Sequence, residues 1–301
     1  MLVAAITPRR AQEHSIDLGA TLELIDFLGE NGVDGIVLLG STGEFVHFAL
    51  DDRRHMVNFA AKRSRVPMLV NVSYSTLDGA VELAREAAGA GIAGVLLMPP
   101  YYYPHSQAEI LSFYEAYADA IDGLIPTYLY NIPACTSEIA SSTAARLLSG
   151  GRFAGIKDSS GSAEFFRELF DQTDGQRAGV PFTFLSGQER LYAAQRREGA
   201  AGAVSGVASA LPELMVAFDR AIAAGDTAGI HQLEARLNEF LAWADQFPWP
   251  TAAKEALKQR KLKSGALANP LPPELDKKLE QFAEWFRGWL PALLRECKGR
   301  K

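Results

Sequence analysis

The stretch Phe153-Ala-Gly-Ile-Lys-Asp-Ser-Ser-Gly161 starts with a short apolar run and ends in a polar turn. Such a run is typical of a buried strand, and the polar residues after it are typical of the loop that leaves the strand. A segment of helical period follows at residues 163–172, and the same succession of short strand and longer helix recurs along the chain. This alternation indicates parallel βα units.

The recurring pattern predicts eight strands. We expect them at residues 2–6, 35–39, 68–72, 94–98, 127–131, 153–157, 182–186 and 202–205. We expect helices between them at 18–30, 51–64, 77–90, 107–122, 137–149, 163–172 and 189–198, and Pro212 opens an eighth because proline is tolerated in a first helical turn. Eight strands with intervening helices favour an α/β fold, a closed (β/α)8 TIM barrel. The alternative, an open doubly wound sheet, is disfavoured because no GxGxxG follows the first strand.

The pattern changes after Gly225. Segments of helical period at 226–246, 251–263 and 273–296 follow one another with no strand between them, and prolines mark their boundaries. We therefore expect a barrel domain over residues 1–224 and a C-terminal helical extension over residues 225–301.

Composition restricts the class of protein. The 301 residues are 48% hydrophobic and 22% charged with a net charge of −6, which predicts a soluble globular protein and gives no support to nucleic-acid binding. The two cysteines have no CxxC or Cys/His spacing, so we expect no disulfide framework, no metal site and a cytoplasmic location. The apolar runs are of strand length, so we expect neither a membrane span nor a signal peptide.

Lys157 stands out by its distribution. Before residue 254 the only other lysine is Lys62, and Lys157 ends a run that reads as a buried strand. Burial removes the hydration of an ammonium group and so favours the neutral amine, which is the form that attacks a ketone. Lys157 is therefore a candidate Schiff-base nucleophile, and the alternative is an ordinary solvated surface lysine.

In a barrel of this class the active site lies at the carboxyl ends of the strands. The residues there include one amine, several phenols, small hydroxyls and a glycine-rich turn, a set that suits addition to a carbonyl. These stretches are Thr7-Pro8, Gly40-Ser-Thr-Gly-Glu44, Pro99-Pro-Tyr-Tyr-Tyr-Pro104, Tyr130-Asn-Ile-Pro133, Lys157 and Ser186-Gly-Gln-Glu189.

The turn at residues 40–44 has its own physical interpretation. Glycines let backbone N–H groups approach an anion, and the hydroxyls of Ser41 and Thr42 add donors, so the turn suits an α-keto carboxylate. The alternative is a generic turn from strand to helix. We expect Glu44 in the first turn of the next helix, where its charge favours the helix dipole.

Four motifs in this order resemble the dihydrodipicolinate synthase / N-acetylneuraminate lyase family. They are GSTGE at 40–44, PPYYYP at 99–104, YNIP at 130–133 and GIKDSSG at 155–161. The resemblance covers essentially the whole chain. It implies a pyruvate-type class I aldolase that needs no metal or organic cofactor, binds a 2-oxo acid such as pyruvate, and forms a homotetramer built as a dimer of dimers.

The resemblance also implies roles for single residues. Lys157 corresponds to the Schiff-base lysine, and Tyr130 to the tyrosine that moves a proton to or from the substrate oxygen. Ser41 and Tyr102 correspond to the rest of a proton relay, with Tyr102 supplied by a neighbouring subunit. A one-residue slip to either adjacent tyrosine is the alternative for Tyr102. Thr42 joins Ser41 at the substrate carboxylate, and the position of Val204 is one whose backbone carbonyl faces the keto acid.

One departure from the family bears on the substrate. The synthase of this family carries an arginine two residues after the proline of YNxP, where it holds the carboxylate of its aldehyde substrate, and this chain has Cys135 there. A thiol cannot make the bidentate contact of a guanidinium. Arg190 is a candidate replacement, and a charge on a helix surface is its alternative.

The other candidate side chains are polar, and we expect them to contact the part of the substrate that lies away from its keto acid group. They are Ser159, Gln188, Glu189 and Arg190. By resemblance they favour a 2-keto-3-deoxy sugar acid or a sialic-acid-like substrate. Two alternatives stay open: a 4-hydroxy-tetrahydrodipicolinate synthase that condenses pyruvate with aspartate semialdehyde, and a non-catalytic keto-acid-binding barrel. Aldol cleavage, dehydration and decarboxylation, and either direction of reaction, are all compatible with this pattern.

Overall fold

A computed structural model describes residues 1–11, 13, 15–174 and 182–298. Eight strands close into a barrel in chain order, which confirms the predicted (β/α)8 TIM barrel. The strands are β1 Leu2–Ala4, β2 Gly35–Leu38, β3 Met68–Asn71, β4 Gly94–Leu97, β5 Thr127–Asn131, β6 Gly155–Asp158, β7 Thr183–Ser186 and β8 Gly202–Ser205.

The helices alternate with the strands up to β8. They are α1 Leu18–Glu30, α2 Leu50–Arg63, α3 Leu77–Gly89, α4 Gln107–Ile121, α5 Ser141–Ser149, α6 Ala163–Asp174, α7 Glu189–Arg197 and α8 Pro212–Ala224, followed by α9 Thr227–Ala244, α10 Thr251–Gln259 and α11 Pro273–Lys298. Short 3-10 helices lie at Phe45–His47 and Val207–Ser209. No helix in the described part of the chain is both long and apolar enough to cross a bilayer.

Side chains define several helix starts. Ser106 and Glu109 form a capping box at the start of α4, and the Asp17 carboxylate accepts a hydrogen bond from the backbone N–H of Ala20 at the start of α1. Each cap satisfies backbone donors that the first turn leaves without a partner. Pro212 occupies the start of α8 as predicted.

Three predicted elements have boundaries that differ clearly from the structure. The helix expected at 251–263 ends at Gln259, and Lys261 shortly after it has a φ angle of +65°. The helix expected at 137–149 begins at Ser141, because the N–H groups of Ile139 and Ala140 donate to the side chains of Asn131 and Gln107, each at 3.0 Å. The strand expected at 153–157 is shifted toward the C-terminus and includes Asp158, which pairs with its neighbours on both adjacent strands.

By its contacts the chain divides into two compact units. Unit 1 comprises Met1–Pro67 and Ser205–Lys301, and unit 2 comprises Met68–Val204. An aromatic layer between α9 and α11 stabilises unit 1, in which the rings of Phe240, Phe282 and Phe286 lie 5.7 to 6.3 Å apart. In unit 2 the Phe166 ring meets Phe184 edge to face at 4.5 Å.

The C-terminal part of the chain is helical where it is described. Residues 225–298 contain α9, α10 and α11 and no strand. The division into a barrel domain at 1–224 and an extension at 225–301 stays a prediction about the domains.

Strands β6 and β7 approach each other too closely for a side chain at Gly155. A Cβ atom on Gly155 would lie 2.0 Å from the carbonyl oxygen of Thr183, a contact that requires the backbone to move. Gly29 near the end of α1 offers a contrast, since a Cβ atom there would meet nothing within 4 Å.

We predict that Gly155→Ala lowers the free energy of unfolding by about 3 kcal/mol, because the added methyl group forces β6 away from β7. Gly29→Ala is the matched control and should leave that free energy unchanged or raise it by up to about 1 kcal/mol. Urea denaturation of the three proteins measures both changes. Equal stability of Gly155→Ala and the wild type would contradict the close approach of these strands.

Candidate active site

The pairing of β5 with β6 places Tyr130 directly beside Lys157. Side chains alternate between the two faces of a strand, so paired residues on neighbouring strands share a face. The Lys157 Nζ atom lies 4.1 Å from the centroid of the Tyr130 ring, and the two residues are 3% and 1% exposed. The structure therefore brings together the predicted nucleophile and the predicted proton carrier, and the alternative of a solvated surface lysine is wrong.

The next residue on each strand faces the other way and forms a second pair. The Asn131 side chain donates from Nδ2 to Oδ1 of Asp158 at 2.8 Å and accepts from the N–H of Ile139 at 3.0 Å. The hydroxyl of Ser160 donates to Asp158 Oδ2 at 2.8 Å. Asn131 and Asp158 are buried. This polar pair links the ends of β5 and β6 on the face of the strands opposite to Tyr130 and Lys157.

No role was predicted for Asn131 or Asp158, although a signal was present in the sequence. Each residue directly follows a predicted catalytic residue on one of two neighbouring strands. The period of two therefore puts both on the same opposite face, where an amide and a carboxylate are suited to bond each other.

Burial raises the pKa of Asp158 to about 6 from its ordinary value of 3.8, although the hydrogen bonds from Ser160 and Asn131 act in the opposite direction. Between these two pH values the folded protein holds the proton more tightly than the unfolded chain does. The contribution of Asp158 to stability therefore falls as the pH rises through this range and stays at its lower level above it.

The loops after β6 and β7 meet at Ser159 and Gln188. Gln188 donates from Nε2 to the carbonyl oxygen of Ser159 at 3.4 Å, and a Cβ atom at Gly187 would lie 2.0 Å from Ser159 Oγ. Gln188 precedes α7, and Glu189 and Arg190 are its first two residues. The structure thus brings together Ser159 and Gln188 and places Arg190 as an exposed residue of the first helical turn.

Cys135 lies in the turn after β5, where its N–H donates to the carbonyl oxygen of Ile132 at 2.9 Å. Cys135 is exposed, but desolvation by the surrounding residues raises the pKa of its thiol, and the charge of Lys157 opposes that shift. A thiol with a raised pKa is a poor nucleophile at neutral pH. Cys135 is therefore poorly suited to act as a nucleophile. Val204 is a buried residue of β8.

Tyr102 lies in the loop after β4 and is 85% exposed. Its φ angle of +87° is unusual for a residue with a side chain, and its ring contacts that of Tyr103 edge to face at 4.8 Å. Within this chain Tyr102 is thus an exposed residue on a strained loop, whereas Tyr130 and Lys157 are buried.

Ser41 and Thr42 belong to unit 1, in the turn that follows β2. Thr42 is 5% exposed, and its Oγ1 accepts a hydrogen bond from Trp249 Nε1 at 3.2 Å. The predicted place of Glu44 in the first turn of a helix is wrong. It precedes a single 3-10 turn with a φ angle of +52°, its carboxylate pairs with Lys254, and α2 begins only at Leu50.

Among residues 1–11, 13, 15–174 and 182–298, no cluster of three or more histidine, cysteine, aspartate or glutamate side chains has the arrangement of a metal site.

Comparison with known proteins assigns the chain to a family. The model of the dihydrodipicolinate synthetase family matches residues 1–287. The chain belongs to the dihydrodipicolinate synthetase family. As a member it is an enzyme of the lyase class, so the alternative of a non-catalytic keto-acid-binding barrel is wrong.

Three individual similarities within and around this family are informative. A 4-hydroxy-tetrahydrodipicolinate synthase from Desulfotalea psychrophila is 30% identical over 290 residues, which is 95% of each chain. A second similarity is to YagE, a prophage protein of the dihydrodipicolinic acid synthase family from E. coli K12, whose structure was solved in complex with pyruvate. The TM-score is 0.85 and the sequence identity is 26%, and the match covers 96% of this chain and 97% of YagE. The 2-keto 3-deoxygluconate aldolase from Picrophilus torridus has a TM-score of 0.80 and 27% identity over 89% of this chain and 95% of that one.

We predict that Asp158→Asn removes the part of the pH dependence of the free energy of unfolding that arises from ionisation of Asp158. Relative to the wild type, the free energy of unfolding of the variant should rise by about 2 kcal/mol between pH 4.5 and pH 7, because only the wild type ionises a buried carboxyl over that range. Urea denaturation at four pH values measures the difference. Asp276→Asn, which changes an exposed carboxylate on α11, should leave the difference from wild type constant. A constant difference for Asp158→Asn would refute the raised pKa.

Proposed function

We propose that this lyase forms a Schiff base between Lys157 and the ketone carbon of a 2-oxo acid such as pyruvate. The observation that carries the proposal is the buried Lys157 amine 4.1 Å from the ring of Tyr130 at the ends of two paired strands. The neutral amine attacks C2, the carbinolamine loses water, and the resulting iminium draws electrons from C3. A C3–C4 bond can then break or form without a metal or an organic cofactor.

Tyr130 supplies the proton transfers that this sequence requires. Loss of water from the carbinolamine needs a proton on the leaving hydroxyl, and cleavage of an aldol needs a base for the hydroxyl at C4. A phenol next to the iminium is suited to both tasks because it donates and accepts a proton. The pyruvate complex of the E. coli relative supports pyruvate as the keto acid.

The other predicted residues bind the substrate in this proposal. Ser41 and Thr42 hold the carboxylate of the 2-oxo acid, and Ser41 also joins the proton relay. The backbone carbonyl of Val204 faces the keto acid. The loops with Ser159 and Gln188 bind distal hydroxyl groups of the substrate, and Glu189 and Arg190 add a carboxylate and a guanidinium as further binding groups.

A 2-keto-3-deoxy sugar acid, or a sialic-acid-like acid, is the substrate class that we favour. Cys135 stands where the synthase of the family has the arginine that grips a second carboxylate, and the contact between Ser159 and Gln188 offers hydrogen-bonding groups instead. The similarity to the Picrophilus aldolase supports this class. The second candidate is condensation of pyruvate with aspartate semialdehyde, which the relatives at 30% identity support by their names. The two cysteines and the net charge of −6 fit a cytoplasmic enzyme without a nucleic-acid partner.

Reduction with borohydride in the presence of pyruvate tests the Schiff base. Peptide mass mapping should find the reduced adduct on Lys157, and Lys157→Ala should give none. Lys62→Ala, which removes an exposed lysine of α2, is the matched control and should be trapped like the wild type. Failure to trap an adduct on Lys157 at saturating pyruvate would refute the proposal.

The same preparation then decides between the substrate classes. We expect release of pyruvate from deoxy sugar acids or sialic acid to exceed condensation with aspartate semialdehyde. Condensation as the only efficient reaction would overturn the ranking and leave the Schiff base intact.

We also propose a homotetramer, a dimer of dimers, in which Tyr102 completes the proton relay of a neighbouring copy. The exposed ring of Tyr102 and its strained backbone support this part, since strain is retained where a side chain must be presented in one direction.

Tyr102→Phe should therefore lower kcat about 100-fold while borohydride still traps pyruvate on Lys157, because proton transfer is lost and the amine is unchanged. Tyr103→Phe, which alters the adjacent exposed tyrosine, should keep most of the activity. Light scattering should show a tetramer for all three proteins. A fully active monomer, or full activity of Tyr102→Phe, would contradict the shared relay.

A further inference from the structure

A tryptophan from the C-terminal part of the chain contacts the turn after β2. Trp249 lies between α9 and α10, and its indole Nε1 donates a hydrogen bond to Thr42 Oγ1 at 3.2 Å across 207 positions of sequence. A Cβ atom at Gly206 would lie 2.5 Å from Trp249 Cζ2 and 2.9 Å from Thr42 Oγ1. The contact between Trp249 and Thr42 therefore depends on Gly206, the residue after β8, because a larger residue there would separate the two side chains.

The polarity of this hydrogen bond defines the role of the threonine. An indole N–H can only donate, so the Thr42 oxygen must accept, and the hydroxyl hydrogen remains for a different acceptor. In the part of the chain that the structure describes, the Thr42 hydroxyl has no other hydrogen bond, and the residue is 5% exposed. Because this hydrogen bond fixes the orientation of the hydroxyl, its hydrogen can donate in one direction. An anion is bound by donors oriented in this way.

A second contact between the same segments holds the turn in place. Lys254, in α10 and only 2% exposed, pairs with the Glu44 carboxylate and donates to the carbonyl oxygen of Ala266 at 3.1 Å. Removing one partner of such a buried ion pair leaves an uncompensated charge, so the pair strongly favours one position of Glu44. The turn at 40–44 is therefore attached to the C-terminal helical region at both Thr42 and Glu44.

We propose that Trp249 is a positioning residue that orients the Thr42 hydroxyl toward the carboxylate of the 2-oxo acid. This inference rests on the proposed function, in which Thr42 binds that carboxylate. Trp249 acts through Thr42 and contributes to the affinity for the keto acid, whereas the chemistry at Lys157 does not depend on it.

Trp249→Phe tests the inference because it keeps an aromatic ring and removes the N–H group together with the five-membered ring of the indole. The rate of borohydride trapping, measured over a range of pyruvate concentrations, gives a half-saturating concentration and a maximal rate without any knowledge of the second substrate. We expect the half-saturating concentration to rise about 3- to 10-fold, as for the loss of one hydrogen bond, with the maximal rate changed less than about 2-fold. Trp285→Phe, which changes an indole on α11, is the matched control and should leave both values unchanged.

Three further measurements distinguish positioning from a general structural role. Thr42→Val should raise the half-saturating concentration by itself, and adding Trp249→Phe to it should change nothing further, since the bond is already absent. Trp249→His, which restores an N–H donor, should recover part of the affinity. With methyl pyruvate, which has no carboxylate charge, Trp249→Phe and the wild type should differ less than about 2-fold.

The outcomes separate this inference from the proposed function. If wild-type protein is trapped on Lys157 and Trp249→Phe has a wild-type half-saturating concentration, the inference is wrong and the Schiff base stands. If the maximal rate and the affinity fall together, or if the effects of Trp249→Phe and Thr42→Val add, Trp249 acts on the fold rather than on the hydroxyl. If the wild type is not trapped at all, the proposed function itself fails.

Discussion

The register between β5 and β6 is the constraint on which the candidate active site depends. Tyr130 stands opposite Lys157 and Asn131 stands opposite Asp158, so one pair meets on each face. Because side chains alternate with a period of two, a slip of one residue in either strand would turn Lys157 away from Tyr130. The proposed chemistry therefore depends on the backbone pairing of these two strands.

The second pair specifies that register. The hydrogen bond from Asn131 Nδ2 to Asp158 is 2.8 Å long and requires the observed pairing, and Asn131 Oδ1 also accepts a hydrogen bond from the backbone N–H of Ile139. The arrangement has a cost, since burial raises the pKa of Asp158 to about 6 and makes its charged form less favourable in the folded protein than in the unfolded chain. An apolar pair would avoid that cost, but it would fit several registers equally well. The buried amide and carboxylate thus contribute specificity more than stability.

Much of the fold was predictable from local pattern, because each strand is a short apolar run and each helix has a clear period. Strand β5 and helix α1 have the predicted bounds, and the direction of the Lys157 side chain follows from its place at a strand end. Two of the errors have a common cause. The start of α5 depends on Asn131 and Gln107, and the conformation of Glu44 depends on Lys254, more than 200 residues away. A local pattern contains no information about such partners, and the bond between Trp249 and Thr42 was invisible for the same reason.

In the proposed mechanism Lys157, held beside Tyr130 by this register, is the group that bonds to the keto acid. A crystal structure of the protein grown with pyruvate tests it most directly. We predict continuous electron density from Lys157 Nζ to C2 of the keto acid, with the Tyr130 hydroxyl within hydrogen-bonding distance of the adduct. Pyruvate bound without a covalent bond while Lys157 remains unmodified, or an adduct on another lysine, would contradict it.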